Sequence, residues 1–87
     1  MPPRVVVYTT RSCPYCIRAV RLLESKRIAF KQVDVTADTA TRRWLAETTG
    51  RHTVPQVFIN GTPIGGCDDL VDLDRSGQLD RLLAVEP

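Results

Sequence analysis

Histidine occurs once in these 87 residues, as His52, and cysteine three times, as Cys13, Cys16 and Cys67. A structural zinc site needs two sets of paired ligands, such as two C-x-x-C pairs. One such pair is present, but His52 and Cys67 stand singly and do not form a second. Three cysteines are an odd number for a disulfide framework, and a chain that is 43% hydrophobic does not need one to hold its core. A reducing, cytoplasmic setting is the expectation. No apolar run exceeds four residues, far short of a membrane span or a secretory h-region. The net charge is only +2 and aromatics make up 6%, so the interleaved basic and aromatic pattern of a nucleic-acid surface is missing. The glycine pair Gly65-Gly66 is not followed by Gly-Lys-Ser/Thr, which rules out a phosphate loop. A chain of this length buries roughly 60–65% of its unfolded surface. That is enough for one modest core, and one domain over residues 1–87 is expected.

What the sequence does have is a pair of thiols in a telling place. Cys13-Pro14-Tyr15-Cys16 follows directly on the β-like run Arg4-Val5-Val6-Val7-Tyr8-Thr9 and opens a stretch of helical periodicity. In a strand-to-helix setting, C-x-x-C reads as a redox dithiol. Three residues apart on a first helical turn, the thiols share one face and can close a small disulfide ring. A helix start also leaves N–H groups unpaired and carries partial positive charge, which favours a thiolate. Cys13 is therefore the expected nucleophile and Cys16 the resolving thiol.

The rest of the chain alternates strand and helix patterns. The expectation is a strand over Arg4–Thr9, a helix from Pro14 to Lys26 and a parallel strand over Ala29–Val35. Ile17, Ala19, Val20, Leu22 and Leu23 form the apolar stripe of that first helix. A second helix over Asp38–Thr49 should stop at Gly50 in a left-handed conformation. A short strand at Val57–Asn60 turns at Asn60-Gly61 into an edge strand over Thr62–Ile64, with Pro63 confining it to the edge. A short helix capped by Asp68 and an amphipathic turn at Leu79, Leu82 and Leu83 complete a β-α-β-α-β-β-α order, an α/β fold. Charge is uneven: residues 1–51 hold ten Lys/Arg against four Asp/Glu, residues 52–87 two against six. Arg11, Arg18, Arg21, Lys26 and Arg27 suggest an electropositive reactive end. Trp44, Tyr8 and Phe58 read as packing residues, Tyr15 as bordering a substrate groove and Cys67 as a small packed side chain.

Four stretches taken together resemble the glutaredoxins, in particular the small bacterial dithiol forms. They are Cys13-Pro14-Tyr15-Cys16, Thr53-Val54-Pro55-Gln56, Gly65-Gly66-Cys67-Asp68-Asp69 and Leu73-Asp74-Arg75-Ser76-Gly77-Gln78-Leu79-Asp80, and the likeness covers residues 4–85. It implies a thioredoxin fold, a four-stranded mixed sheet flanked by helices, with a cis Val54-Pro55 bond facing the cysteines. It implies glutathione-dependent reduction of protein disulfides and of glutathione mixed disulfides, with no tightly bound cofactor or metal and glutathione as reducing cosubstrate. Partners would be glutathione and disulfide-containing or glutathionylated proteins, ribonucleotide reductase among them at family level. The chain would act as a monomer without nucleic acid or membrane.

Mapped onto this chain, the family's glutathione site falls on Arg11, Tyr15, Thr53, Val54, Pro55, Gly66, Cys67 and Asp68. Val54 would pair with the tripeptide as an added strand. Gly65-Gly66 allows close approach, Cys67 would bind the γ-glutamyl end through its backbone and Asp68 would receive its ammonium. One position departs from the pattern. Where the family often has a lysine for the glutathione carboxylate, three residues before the first cysteine, this chain has Thr10, with Arg11 next. Arg11, Arg42 or Arg51 could supply that charge. Two other readings stay open: a [2Fe–2S] scaffold between two subunits, against which Pro14 stiffens the loop, and a thioredoxin-like carrier reduced by a flavin reductase.

Overall fold

In the computed structural model, which describes residues 3–84, eight elements follow one another. They are β1 (Val5–Thr9), α1 (Pro14–Ser25), β2 (Lys31–Asp34), α2 (Thr39–Thr49), β3 (Gln56–Ile59), β4 (Thr62–Gly65), α3 (Cys67–Arg75) and α4 (Gln78–Ala84). The sheet is four-stranded and mixed, in the order β2-β1-β3-β4. β1 runs parallel to β2 and antiparallel to β3, and β3 runs antiparallel to β4. This is the thioredoxin fold the resemblance implied. Residues 1–2 and 85–87 of the expected domain, and hence the last residue of the glutaredoxin likeness, lie outside the described residues.

Alternation along β1 divides the core in two. Val5 and Val7 face one side of the sheet with Val57 and Ile59, where Ala19, Leu23, Leu70, Leu79 and Leu83 close over them. Val6 and Tyr8 face the other side, with Val35, Leu45 and Phe58 beneath α2. Every residue of β3 is buried, as expected for a strand covered on both faces. Each fully buried leucine, such as Leu23 or Leu70, contributes about 1.5–3 kcal/mol through the water it sheds. On the α2 side, Trp44 stacks on Phe58 with ring centroids 5.5 Å apart, and Tyr8 meets Phe58 edge-on, also at 5.5 Å. Trp44 stays 43% exposed, so it roofs this smaller core instead of filling it.

Local chemistry sets the turns. Asn60 and Gly61 both have positive φ, 52° and 82°, the pairing a type I′ hairpin needs. Gly50 ends α2 at φ 74°, its N–H donating to the Ala46 carbonyl at 2.8 Å. Asp38 opens that helix by accepting from the Thr41 N–H at 3.0 Å.

Several expectations need correction. The capping residue of α3 is Gly66, not Asp68; the Asp69 carboxylate reaches back to accept the Gly66 N–H at 2.9 Å. That is the return half of a capping box, in which a side chain three residues on can satisfy the cap's own N–H. β2 is shorter than Ala29–Val35, β3 starts at Gln56, β4 extends to Gly65, and the closing turn is the full helix α4. Ile17 is 49% exposed, because the buried face of α1 runs through Cys16, Ala19 and Leu23 at spacings of three and four. Lys26 sits at the far end of α1 from the cysteines, held by Asp74 and, at 3.0 Å, by Asp80. It fastens that end to α3 and α4 and adds no charge to the reactive end.

The topology brings three chain segments to one end of the sheet. β1 leaves there toward α1. Gln56, the first residue of β3, pairs with Tyr8 near the end of β1. Gly65, the last residue of β4, pairs with Val57 just behind it.

Candidate active site

Cys13 is the N-cap of α1, with Pro14 in the first turn. Its sulfur accepts the Cys16 N–H at 3.3 Å, so a helix-start amide points directly at it. Ser12, at φ 56°, supplies the sharp backbone turn before it. Cys13 is half-buried and Cys16 is buried, only 3% exposed. Burial, and then the hydrogen bond with Cys13, push the Cys16 thiol up to about 12. Cys16 is thus held as a protonated thiol next to Cys13.

Across from the cysteines, Val54-Pro55 is a cis peptide. The Val54 carbonyl lies 3.9 Å from the Cys13 sulfur, in reach of its S–H. Gln56 supports this turn from beneath: it is fully buried and its Nε2 donates to the Thr53 carbonyl at 3.0 Å. The α3 start closes the third side. A Cβ on Gly66 would come within 3.2 Å of the Pro55 carbonyl, so glycine is what lets the two segments approach.

Between these segments lies a cleft of about 240 Å³. Tyr15, Thr53, Val54, Pro55, Gly66, Cys67 and Asp68, all singled out from the sequence, line it together. The Arg18 guanidinium sits 6.0 Å from the Tyr15 ring centroid and helps fix that exposed ring at the rim. Cys67 is buried, and burial pushes its thiol up, with the nearby Arg18 charge opposing. Arg11 goes elsewhere: its Nε meets the Asp34 carboxylate at 3.3 Å, its side chain is 80% exposed, and it is not among the cleft's lining residues.

Two residues that line the cleft were not assigned to it from the sequence alone. Arg51, left open there as one of three arginines, donates to the Asp69 carboxylate at 2.6 Å. Asp69 thereby joins the loop before β3 to the Gly66 amide, and both partners hold its carboxyl below the usual carboxylate range. The Gly66-x-x-Asp69 spacing was the available signal, a cap followed three residues later by an acceptor. Among the described residues, no three His, Cys, Asp or Glu side chains gather in a metal-holding group, and no helix is long and apolar enough to cross a membrane.

The raised Cys16 thiol has a consequence for stability. An unfolded cysteine ionises near about 8.5, whereas the folded one keeps its proton to about 12. Between those values the folded state binds the additional proton, so stability falls as pH rises through that window. Urea unfolding of the fully reduced protein should show a lower midpoint at about pH 10 than at neutral pH, and Cys16→Ser should lessen the drop. Equal slopes for both proteins would mean that Cys16 is not buried as a neutral thiol.

Comparison with known proteins agrees with this geometry. A glutaredoxin family model matches residues 5–64. A glutaredoxin of Pseudomonas aeruginosa is 50% identical over 85 residues, covering 98% of this chain and all of that protein. Glutaredoxin 3 of Escherichia coli is 48% identical over 79 residues, covering 91% and 95%. Among solved structures, a buckwheat glutaredoxin–glutathione complex superposes with a TM-score of 0.87 at 33% identity, over 91% of this chain and 74% of that one. The chain belongs to the glutaredoxin family of dithiol thiol–disulfide oxidoreductases.

Proposed function

We propose that the chain, as one domain over residues 1–87, is a monomeric cytoplasmic enzyme that uses glutathione to reduce protein disulfides and glutathione mixed disulfides. The observation that carries this reading is the cleft itself, lined by Tyr15 of the dithiol motif, by Val54, whose carbonyl lies 3.9 Å from the Cys13 sulfur, and by the first residues of α3. A tripeptide suits it. Its cysteinyl unit pairs with the Val54 backbone, its γ-glutamyl carboxylate takes the N–H groups at Cys67, and its ammonium meets Asp68. Arg51, which lines the cleft, would take the glycyl carboxylate, the role left open between three arginines. The similar buckwheat glutaredoxin was solved in complex with glutathione, which supports the assignment by analogy.

The chemistry is two successive exchanges. The Cys13 thiolate attacks a disulfide sulfur, a new S–S bond forms, and the other sulfur leaves as a thiolate that takes up a proton. Once Cys13 is in a mixed disulfide, its charge no longer faces Cys16, and part of what held the Cys16 proton is gone. Cys16 then attacks Cys13, expels the substrate as its second thiol and leaves a Cys13–Cys16 disulfide, which two glutathiones reduce to thiols while becoming glutathione disulfide. With a glutathionylated substrate, Cys13 takes the glutathionyl group and a second glutathione releases it.

A coupled assay tests the reading. With NADPH as electron source, the protein should turn over a small mixed disulfide with glutathione and glutathione reductase, and not with a thioredoxin-type flavin reductase in place of those two. Asp68→Ala should raise the KM for glutathione about tenfold, through loss of one partly solvated charge-assisted contact. Its thermal midpoint should hardly move, because Asp69 and not Asp68 holds the helix start. Turnover by the flavin reductase alone would make the chain a thioredoxin-like carrier.

A further inference from the structure

Val57, Phe58 and Ile59 are apolar, as a strand covered on both faces requires, but Gln56 at the start of β3 breaks that rule. Its side chain is wholly buried, and its Oε1 is the one buried side-chain polar atom among the described residues without a hydrogen-bond partner. The other buried polar side chain, Thr9, accepts from Gln32 Nε2 at 3.2 Å. An acceptor buried in this way loses its hydration and gains no partner, so this residue lowers stability. Turning the amide over gives no relief. Nε2 donates to the Thr53 carbonyl at 3.0 Å, and exchanging the two ends would set oxygen against oxygen.

We propose that Gln56 is a positioning residue, kept at a cost in stability because it aims the Val54 N–H at the substrate. Residues 51–55 belong to no helix or strand, so no ladder of backbone bonds orients their peptide groups. The Thr53 carbonyl and the Val54 N–H are two ends of one planar peptide unit and point in opposite directions. Holding the carbonyl inward, toward the buried amide, therefore turns the N–H outward, on the side where Val54 lines the cleft. An extended peptide chain bonded to Cys13 pairs with that N–H. The inference rests on the reading of the cleft as a peptide-pairing site and names the side chain that orients its donor. Without Gln56, the carbonyl of the exposed Thr53 is free to turn to water, and the N–H turns with it.

An apolar side chain of similar length separates positioning from plain core support. Gln56→Met removes the orphaned acceptor and the bond to Thr53 together, so its urea midpoint should rise above the wild-type value. Reactivity should move the other way, and only toward peptide substrates. In single-turnover kinetics with prereduced protein in excess, the rate with glutathione disulfide should fall about tenfold, the effect of one well-made hydrogen bond. The rate with hydroxyethyl disulfide, which has no peptide backbone to pair, should stay at the wild-type value. Gln56→Leu should behave in the same way and guards against a packing fault particular to methionine. A midpoint that falls in both variants makes Gln56 an ordinary core support and overturns the proposal. An unchanged rate with glutathione disulfide overturns it too, as does equal slowing with both disulfides, which would place the fault at Cys13. A wild type that reacts no faster with glutathione disulfide than with hydroxyethyl disulfide overturns the glutathione reading instead. The same two variants then decide the role of Gln56 on an extended disulfide peptide, whose backbone can also pair with Val54.

Discussion

Cys13→Ser is expected to lose all thiol-transfer activity, with glutathione mixed disulfides and protein disulfides alike, while remaining folded. No other thiol in the chain combines access with an anion-favouring position. Cys16 is buried and pushed up to about 12, and Cys67 is buried with its thiol also pushed up. Cys13 alone is a helix N-cap whose sulfur accepts a helix-start amide, whereas Cys67, the first residue of α3, is buried. A serine oxygen in its place cannot form the mixed disulfide on which both branches of the exchange depend. Rates at the uncatalysed background, together with a wild-type circular dichroism spectrum, would bear this out. Substantial residual turnover would move the nucleophile to another cysteine.

Gly65→Ala is the second large effect, and it works through backbone and side chain at once. Gly65 has φ 111°, a conformation that residues with a Cβ rarely adopt. Its added methyl would lie 2.4 Å from the Asp69 Oδ2 and 2.8 Å from the Asp69 Cβ, so the whole side chain must swing away. That breaks its bonds to the Gly66 N–H and to Arg51 together. Backbone strain of order 1–3 kcal/mol and a lost cap of about 1 kcal/mol predict a loss of about 2–4 kcal/mol in urea unfolding. The KM for glutathione should rise as well, since the α3 amides and Arg51 both lose their anchor. Unchanged stability with unchanged KM would show that the Asp69 bridge is not what shapes the cleft.

Much of this arrangement is legible in the residues, wherever the determinant is local. Asn60-Gly61 specifies its turn through two positive φ values, Gly50 its helix end, and Cys13-Pro14 a helix start that carries the dithiol. Two of the misplacements depend instead on partners distant in the chain, and two on the phase of a helix turn. Lys26 belongs to the far end of α1 because Asp74 and Asp80 meet it there. Arg11 stands next to the motif in sequence, yet Asp34 on the neighbouring strand takes its guanidinium. Asp68 and Asp69 are adjacent carboxylates at a helix start, and a single residue of phase decides which one turns back to the cap. Ile17 fits an apolar stripe by composition but falls off the face that Cys16, Ala19 and Leu23 define.

The central claim is a glutathione-linked dithiol with distinct roles for its two thiols, and Cys16→Ser tests it most directly. The variant is assayed on a small glutathione mixed disulfide and on a protein disulfide, with glutathione as reductant in both. The account predicts that cleavage of the small mixed disulfide persists, because a second glutathione replaces the resolving thiol, and that most reduction of the protein disulfide is lost. Loss of the small-substrate activity in a folded Cys16→Ser protein would contradict the glutathione link, and full activity on both substrates would contradict the resolving role of Cys16.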